Sequence, residues 1–243
     1  MQILKDKVIL VTGGNRGIGK SLVKESLNKG AKKVYATCRD LSKMPEFEDN
    51  RVVILKLDIT NDHEIEQVVK QALDTEVLIN NAGVLSAGSI LNGKIADIEK
   101  DMNVNYYGTL KMMKSFASVL ESNSPARIVN ITSIVAYSPL PSIAGYSASK
   151  AALLSATYSV RIELAKKGVT VHTVNPGAID TDMNKGSDWD MPSPDSVAKV
   201  ILDKVENGEL DIIPEDIGLG MINAWKEDPK KLAEMFYKIY HAE

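Results

Sequence analysis

Cysteine occurs once in the 243 residues, as Cys38, and histidine three times, as His63, His172 and His241. A single thiol cannot close an internal disulfide, and scattered histidines without partner cysteines have no metal-ligand spacing, so neither a disulfide scaffold nor a metal site is expected. A reducing, cytoplasmic setting follows. Aromatic residues make up only 5 % of the chain, and no apolar run approaches the roughly 20 residues that a membrane-spanning helix needs. There is also no excess of one charge. The 29 basic and 32 acidic side chains leave a net charge of −3, which gives no general attraction to nucleic acid or to an anionic membrane. Met1 to Lys7 pass straight into a strand pattern without an apolar signal region, so no secretion signal is expected.

What is present is a 44 % apolar content, ample for one core, and no repeat or Pro/Gly/Ser-rich linker divides residues 1–243. Short β-branched runs at Val8–Val11, Val34–Thr37, Val52–Leu57, Val77–Ile79, Ile128–Ile131, Val169–Val174 and Asp211–Ile213 read as strands. Helix-length segments lie near Gly17–Lys29, Asp62–Leu73, Ile98–Leu120, Tyr146–Lys167 and Pro194–Val205. Crossovers of that length permit parallel pairing, and alternating β and α predicts a single-domain α/β fold with a doubly wound, mostly parallel sheet. The strands are continuous apolar runs, as burial beneath helices on both faces demands. Ser193-Pro194 reads as a helix start, with the hydroxyl as N-cap and proline at the first helical position, which leaves Met183 to Pro192 as a loop.

Strand one runs into Thr12-Gly13-Gly14-Asn15-Arg16-Gly17-Ile18-Gly19 and then a helix. Glycines there let the backbone turn tightly and approach a ligand, and exposed helix amides can hold a pyrophosphate. The glycine spacing differs from G-x-G-x-x-G although its strand-turn-helix setting is the same, and a plain turn would look similar. The end of strand two, Ala36-Thr37-Cys38-Arg39-Asp40, sets the dinucleotide type. Arg39 falls about 20 residues past the last glycine, where a basic residue pairs with a ribose 2′-phosphate and an acidic one bonds a 2′-hydroxyl. Arg16 could add a second charge, so NADP(H) is expected over NAD(H), with Asp40 as the competing carboxylate.

Tyr146 and Lys150 stand four apart in a helical pattern and project from one face. A phenol near pKa 10 needs a neighbouring cation before it can trade a proton with an alcohol or ketone around neutral pH. Tyr107 with Lys111 has the same spacing. Only the first pair is accompanied by Ser133, which follows strand Ile128–Ile131 at the edge where open parallel sheets bind ligands. The second pair is read as structural.

Thr12-Gly13-x-x-x-Gly17-x-Gly19, Asn80-Asn81-Ala82-Gly83, Asn105, Ser133, Tyr146-x-x-x-Lys150 and Pro176-Gly177 together resemble the short-chain dehydrogenase/reductase family, in order and spacing, from Lys7 to about Thr181. The resemblance implies a seven-stranded Rossmann-type sheet and hydride transfer between a nicotinamide and a carbonyl or alcohol. It implies that Tyr146 is the general acid/base, that Ser133 bonds the substrate oxygen, and that Lys150 holds the nicotinamide ribose and lowers the Tyr146 pKa. Asn105 would anchor a water for proton resupply. Asp58 and Ile59 resemble adenine contacts, Asn81 a ribose neighbour within Asn81-Ala82-Gly83, and Ile179 and Thr181 the contacts to the carboxamide. Asn80 could instead only tie strand ends together, and Asn105 could be a buried helix asparagine satisfied by backbone.

The expected activity is that of an NADPH-dependent carbonyl reductase, or the matching alcohol dehydrogenase, on a small-molecule carbonyl or alcohol. The alternatives are an NADP(H)-binding redox sensor and a 3-oxoacyl-carrier-protein reductase-like enzyme, the latter put in doubt by the tail after Ile212-Ile213-Pro214-Glu215-Asp216. Residues 182–206 read as a substrate loop and helix, with Met183, Trp189 and Met191 as an apolar lid. Residues 214–243 read as a helical tail in which Leu232, Phe236 and Tyr240 recur every four residues. The helices near 98–120 and 146–167, with Ala148, Ala151, Ala152 and Ala156, invite a homodimer or homotetramer, as the family resemblance also implies.

Overall fold

The seven β-branched runs become the strands β1 (Val8–Val11), β2 (Lys33–Cys38), β3 (Val52–Lys56), β4 (Val77–Asn80), β5 (Ala126–Ile131), β6 (Val169–Val174) and β7 (Asp211–Ile212). The structure, a computed structural model, describes residues 2–186 and 190–242. The strands lie in the order β3-β2-β1-β4-β5-β6-β7, and every pairing is parallel, so the sheet is wholly rather than mostly parallel. Ile9 pairs with Val34 of β2 on one side and Val77 of β4 on the other. The chain therefore winds outward from β1 through β2 and β3, then returns to build the other half. That reversal opens a crevice between the carboxyl ends of β1 and β4, the place where such sheets take ligands.

Helices cover both faces: α1 (Gly17–Asn28), α2 (Asp62–Gln71), α3 (Ile95–Asp101), α4 (Thr109–Ser122), α5 (Ala144–Leu164), α6 (Pro194–Glu206), α7 (Asp216–Glu227) and α8 (Pro229–Ala242). The two-residue period of a strand sends alternate side chains to opposite cores. Leu10, Leu78 and Ile128 pack with Met112, Phe116 and Leu120 of α4 and Leu153 of α5. Ile9, Ile79 and Val129 pack on the other face with Leu22 of α1 and Ile201 and Leu202 of α6. The two-sided burial fails at the edge strand β3, where Val53 and Ile54 are exposed.

Helix α6 begins as its sequence requires, with Ser193 Oγ accepting from Ser196 N at 3.2 Å and Pro194 at the first position. The segment expected as one helix over 98–120 is instead α3, then seven residues of wider π winding at Met102–Gly108, then α4. Such windings occur mostly near functional residues, and this one carries Asn105. The helical tail forms α7 and α8, and Met221, Ile222, Leu232 and Phe236 are buried with Ile134, Val135 and Tyr146 in a third apolar cluster. Among the described residues no helix is long and apolar enough to cross a membrane, and no group of His, Cys, Asp or Glu is placed to hold a metal.

Candidate active site

The turn after β1 is held by its own polar atoms. Thr12 Oγ1 accepts from the amides of Asn81 and Ala82, both at 3.0 Å. Asn81 Nδ2 returns two bonds, to the carbonyls of Thr12 at 2.9 Å and Gly13 at 3.1 Å. Gly13 adopts φ +66°, and a Cβ on Gly19 would lie 2.1 Å from the Gly13 carbonyl oxygen, so neither position accepts a side chain. Helix α1 then starts behind Arg16, which makes no side-chain cap. Its first-turn amides are left for a ligand, and the helix dipole favours an anionic one.

This turn forms one end of a cleft of about 970 Å³ at the carboxyl edge of the sheet. Every position expected to contact a cofactor lines it: Gly13, Asn15, Arg16, Gly17, Ile18 and Gly19 at the turn, Arg39, Asp58 and Ile59 at the ends of β2 and β3, Asn81, Ala82 and Gly83 after β4, and Pro176, Gly177, Ile179 and Thr181 after β6. Ser133, Tyr146 and Lys150 line it too, whereas Asn105 is fully buried behind it. Asn81 spends its amide on the glycine turn, so its first action is to fix that turn.

The selector region is sharper than the sequence allowed. Asp40 Oδ1 accepts from Ser42 N at 3.1 Å and Ser42 Oγ at 2.7 Å, which holds its carboxyl below the usual range, and so it caps its own short turn. Arg39 is exposed at the cleft, and among the described residues no carboxylate pairs with it. Arg16 lines the same cleft, and its exposed guanidinium pairs with Asp182 at 3.1 Å. Asp58 Oδ1 accepts from Thr60 N at 2.9 Å and Thr60 Oγ1 at 2.7 Å, which shapes the rim at the end of β3.

At the other end Ser133, Tyr146 and Lys150 converge from the end of β5 and the first two turns of α5, all three buried. Ser133 Oγ donates to the Pro176 carbonyl at 3.2 Å and accepts from the Val135 amide at 3.4 Å, and its hydroxyl favours the ionised form of Tyr146. Lys150 Nζ donates to the Ile131 carbonyl at 2.8 Å and lies 5.5 Å from the Tyr146 ring centre. Burial pushes Tyr146 up to about 12, against a smaller lowering by Ser133, and burial pulls Lys150 down to about 8. Taking either group out of water disfavours its charged form.

Asn105 spends both amide hydrogens, on the Val84 carbonyl and Ser149 Oγ, each at 2.9 Å, while Oδ1 accepts from Val84 N at 2.9 Å. Only an Oδ1 lone pair is left to hold a water, and the residue's evident work is to clamp the loop after Gly83 against α5. Asn80 ties β4 to β5 through Asn130 at 2.8 Å, the simpler of its two readings. The Tyr107–Lys111 pair is structural as expected, for Lys111 Nζ bonds the Thr60 carbonyl at 3.0 Å and pairs with Asp62 at 2.9 Å.

Two carboxylates escaped the sequence reading. Asp101, fully buried, accepts from Ser86 Oγ at 2.9 Å, and its charge raises the pKa of both Tyr146 and Lys150. Glu215 caps α7 through Gly218 N at 2.7 Å and reaches across to Gly177 N at 2.8 Å, which fixes the turn after Pro176. An acid among buried helix positions, and an acid just before a helix, were the available signals. Of the expected lid, Met183 lines the cleft, Met191 does not, and Trp189 lies outside the described residues.

The residues present suit a phosphorylated dinucleotide: uncapped helix amides at a turn that excludes side chains, Arg39 at the end of β2, and a buried phenol–lysine pair at the far end. A Rossmann-type sheet with this cleft defines a dinucleotide-dependent oxidoreductase. The short chain dehydrogenase family profile matches residues 7–191, and the chain belongs to that family. The fold is that of a solved short chain dehydrogenase from Burkholderia cenocepacia in complex with NADP, at a TM-score of 0.91 and 34 % identity over 96 % of this chain and 98 % of that one. An uncharacterised oxidoreductase of Staphylococcus saprophyticus is 34 % identical over 76 % of this chain and 84 % of its own length. An NADPH-dependent 1-acyldihydroxyacetone phosphate reductase of Schizosaccharomyces pombe is 37 % identical over 72 % of this chain, which spans 61 % of that relative.

Proposed function

We propose that this oxidoreductase is an NADPH-dependent carbonyl reductase that converts a ketone or aldehyde to the alcohol. The observation that carries the reading is the convergence of buried Ser133, Tyr146 and Lys150 on the cleft whose opposite end offers the glycine turn and Arg39. Arg39 would pair with the ribose 2′-phosphate, the first-turn amides of α1 would hold the pyrophosphate, and Lys150 would hold the nicotinamide ribose. The bound nicotinamide supplies the hydride, so the protein has only to orient the carbonyl and deliver one proton.

Ser133 Oγ bonds the carbonyl oxygen and Tyr146 donates its phenolic proton to that oxygen as it gains charge. A phenol near 12 holds its proton at neutral pH, the form that reduction needs. Lys150, near 8, stays protonated at pH 7 and stabilises the phenolate left after transfer. Asn105 and Glu215 fix the backbone on either side of the reacting oxygen.

The test is a panel of ketones and aldehydes followed by NADPH absorbance, with NADH in parallel. Consumption of NADPH well above NADH is expected. Tight NADPH binding with no consumption across the panel would overturn the reading in favour of a cofactor-binding sensor. We also infer a homo-oligomer through the helices near 98–120 and 146–167, because α5 leaves Ala148, Ala151, Ser155 and Ile162 exposed along one stripe and Tyr107 stands exposed beside α4. A monomeric mass at micromolar concentration by sedimentation would remove that inference.

A further inference from the structure

The end of the cleft next to Tyr146 is walled by Val135, by Leu140 and Ile143 of the loop before α5, and by Met221 of α7 and Phe236 of α8. None of these side chains carries a charge or a hydrogen-bonding group. Among the described residues, the charged groups that line the cleft belong to other segments: Arg16, Arg39, Asp40, Lys43 and Asp58 around the glycine turn and the ends of β2 and β3, and Asp182 and Lys185 on the 182–186 segment. Asp182 is engaged with Arg16, Lys185 is exposed, and the ammonium of Lys150 is committed to the Ile131 carbonyl.

The wall is also firmly backed. Leu232 is fully buried one turn before Phe236, and the Trp225 ring meets Tyr137 edge-on at 5.0 Å. The charged residues of α8, Lys230, Lys231, Glu234 and Lys238, are all exposed on the opposite side of that helix. A substrate that placed a carboxylate or phosphate against this wall would lose hydration and find no polar partner in the wall itself, a cost of several kcal/mol for an ion. A hydrocarbon group in the same place gains the burial that such a surface offers.

Resting on the reductase reading above, we infer that the substrate is an uncharged ketone whose larger carbonyl substituent is a hydrocarbon ring or chain packed against Val135, Leu140, Ile143, Met221 and Phe236. The recognition is complementary to that of the cofactor end, where an anion meets amides and arginine. The carbonyl itself is still read by Ser133 and Tyr146, so specificity resides in what flanks it.

The experiment pairs ketones that differ only by a charge: 4-methylacetophenone with 4-acetylbenzoate, and 2-octanone with 7-oxooctanoate. With NADPH saturating, the uncharged member of each pair is expected to show the higher kcat/KM by about 30-fold or more. Phe236→Leu is expected to raise KM for 4-methylacetophenone about fivefold with kcat little changed, since it trims the wall without touching the reacting atoms. Leu140→Lys, checked for folding by its melting temperature, is expected to cut the preference for the uncharged member by about tenfold. Equal or faster turnover of the charged ketones by the parent protein would overturn this inference and leave the reductase reading standing. No turnover of any ketone or aldehyde would overturn both.

Discussion

The two ends of the cleft are built from different materials. Around Gly13 to Gly19 and Arg39, the cleft offers backbone amides and an exposed charge on two adjacent loops. Around Tyr146 it offers buried side chains gathered from β5, α5, α7 and α8, which lie far apart in the chain. The first end can accept the same anionic ligand in many proteins, because backbone atoms vary little with sequence. The second draws on residues at 221 and 236, beyond the region matched by the family profile.

The contrast is broken most severely at Tyr146. Tyr146→Phe should lower kcat/KM for every ketone turned over by about 10³-fold, while NADPH affinity, read by fluorescence titration, stays within about twofold. Loss of both together would mean that the two ends do not act separately. Gly19→Ala attacks the other end, since its Cβ would fall 2.1 Å from the Gly13 carbonyl oxygen. NADPH affinity should drop by about 10²-fold, with the pH profile of the residual activity unchanged.

A finer comparison comes from Arg39→Ala, which should reduce the preference for NADPH over NADH by about tenfold by weakening NADPH alone. Equal loss with both dinucleotides would remove Arg39 as the selector. The pH dependence sharpens the substrate end. Reduction needs the Tyr146 proton and the Lys150 charge, so kcat/KM should be flat up to about pH 8 and decline above it as Lys150 is deprotonated.

The smallest effect is on stability. A buried lysine whose folded pKa lies near 8, below its ordinary 10.5, binds its proton less tightly in the native state than in the unfolded chain. That penalty is present in full below about pH 8 and is relieved as pH rises toward 10.5. Lys150→Met should therefore be more stable than the parent at pH 7, on the order of 1–3 kcal/mol, and the gap should close with rising pH. Melting temperatures across pH 7 to 10 measure it, and a Lys150→Met protein less stable at pH 7 would refute the penalty.

Much of the architecture was legible because local signals and the fold agree. β-branched runs marked the strands within a few residues, Val8–Val11 and Val169–Val174 to the residue, and Ser193-Pro194 marked the start of α6. The cofactor positions were legible because a turn, a helix start and a strand end are contiguous features. What escaped was set by tertiary context. The exposed edge of β3 depends on which strand ends up outermost, the pairing of Arg16 with Asp182 joins residues far apart in sequence, and the upward shift of Tyr146 depends on burial that the Tyr-x-x-x-Lys spacing does not convey. Asp101 and Glu215 were missed for the same reason: each acts on segments remote from its own.

The wide turn at Met102–Gly108 ties these observations to the core. Each residue of slack in a helix rotates everything beyond it by roughly 100° about the axis. Were that turn to tighten to ordinary winding, Met112, Phe116 and Leu120 would swing off the sheet, or Ile98 and Asp101 would turn away from Gly145. Both flanks are pinned in phase by what they bury, so the angular mismatch has nowhere to go except the loop of backbone that presents Asn105 to Val84 and Ser149.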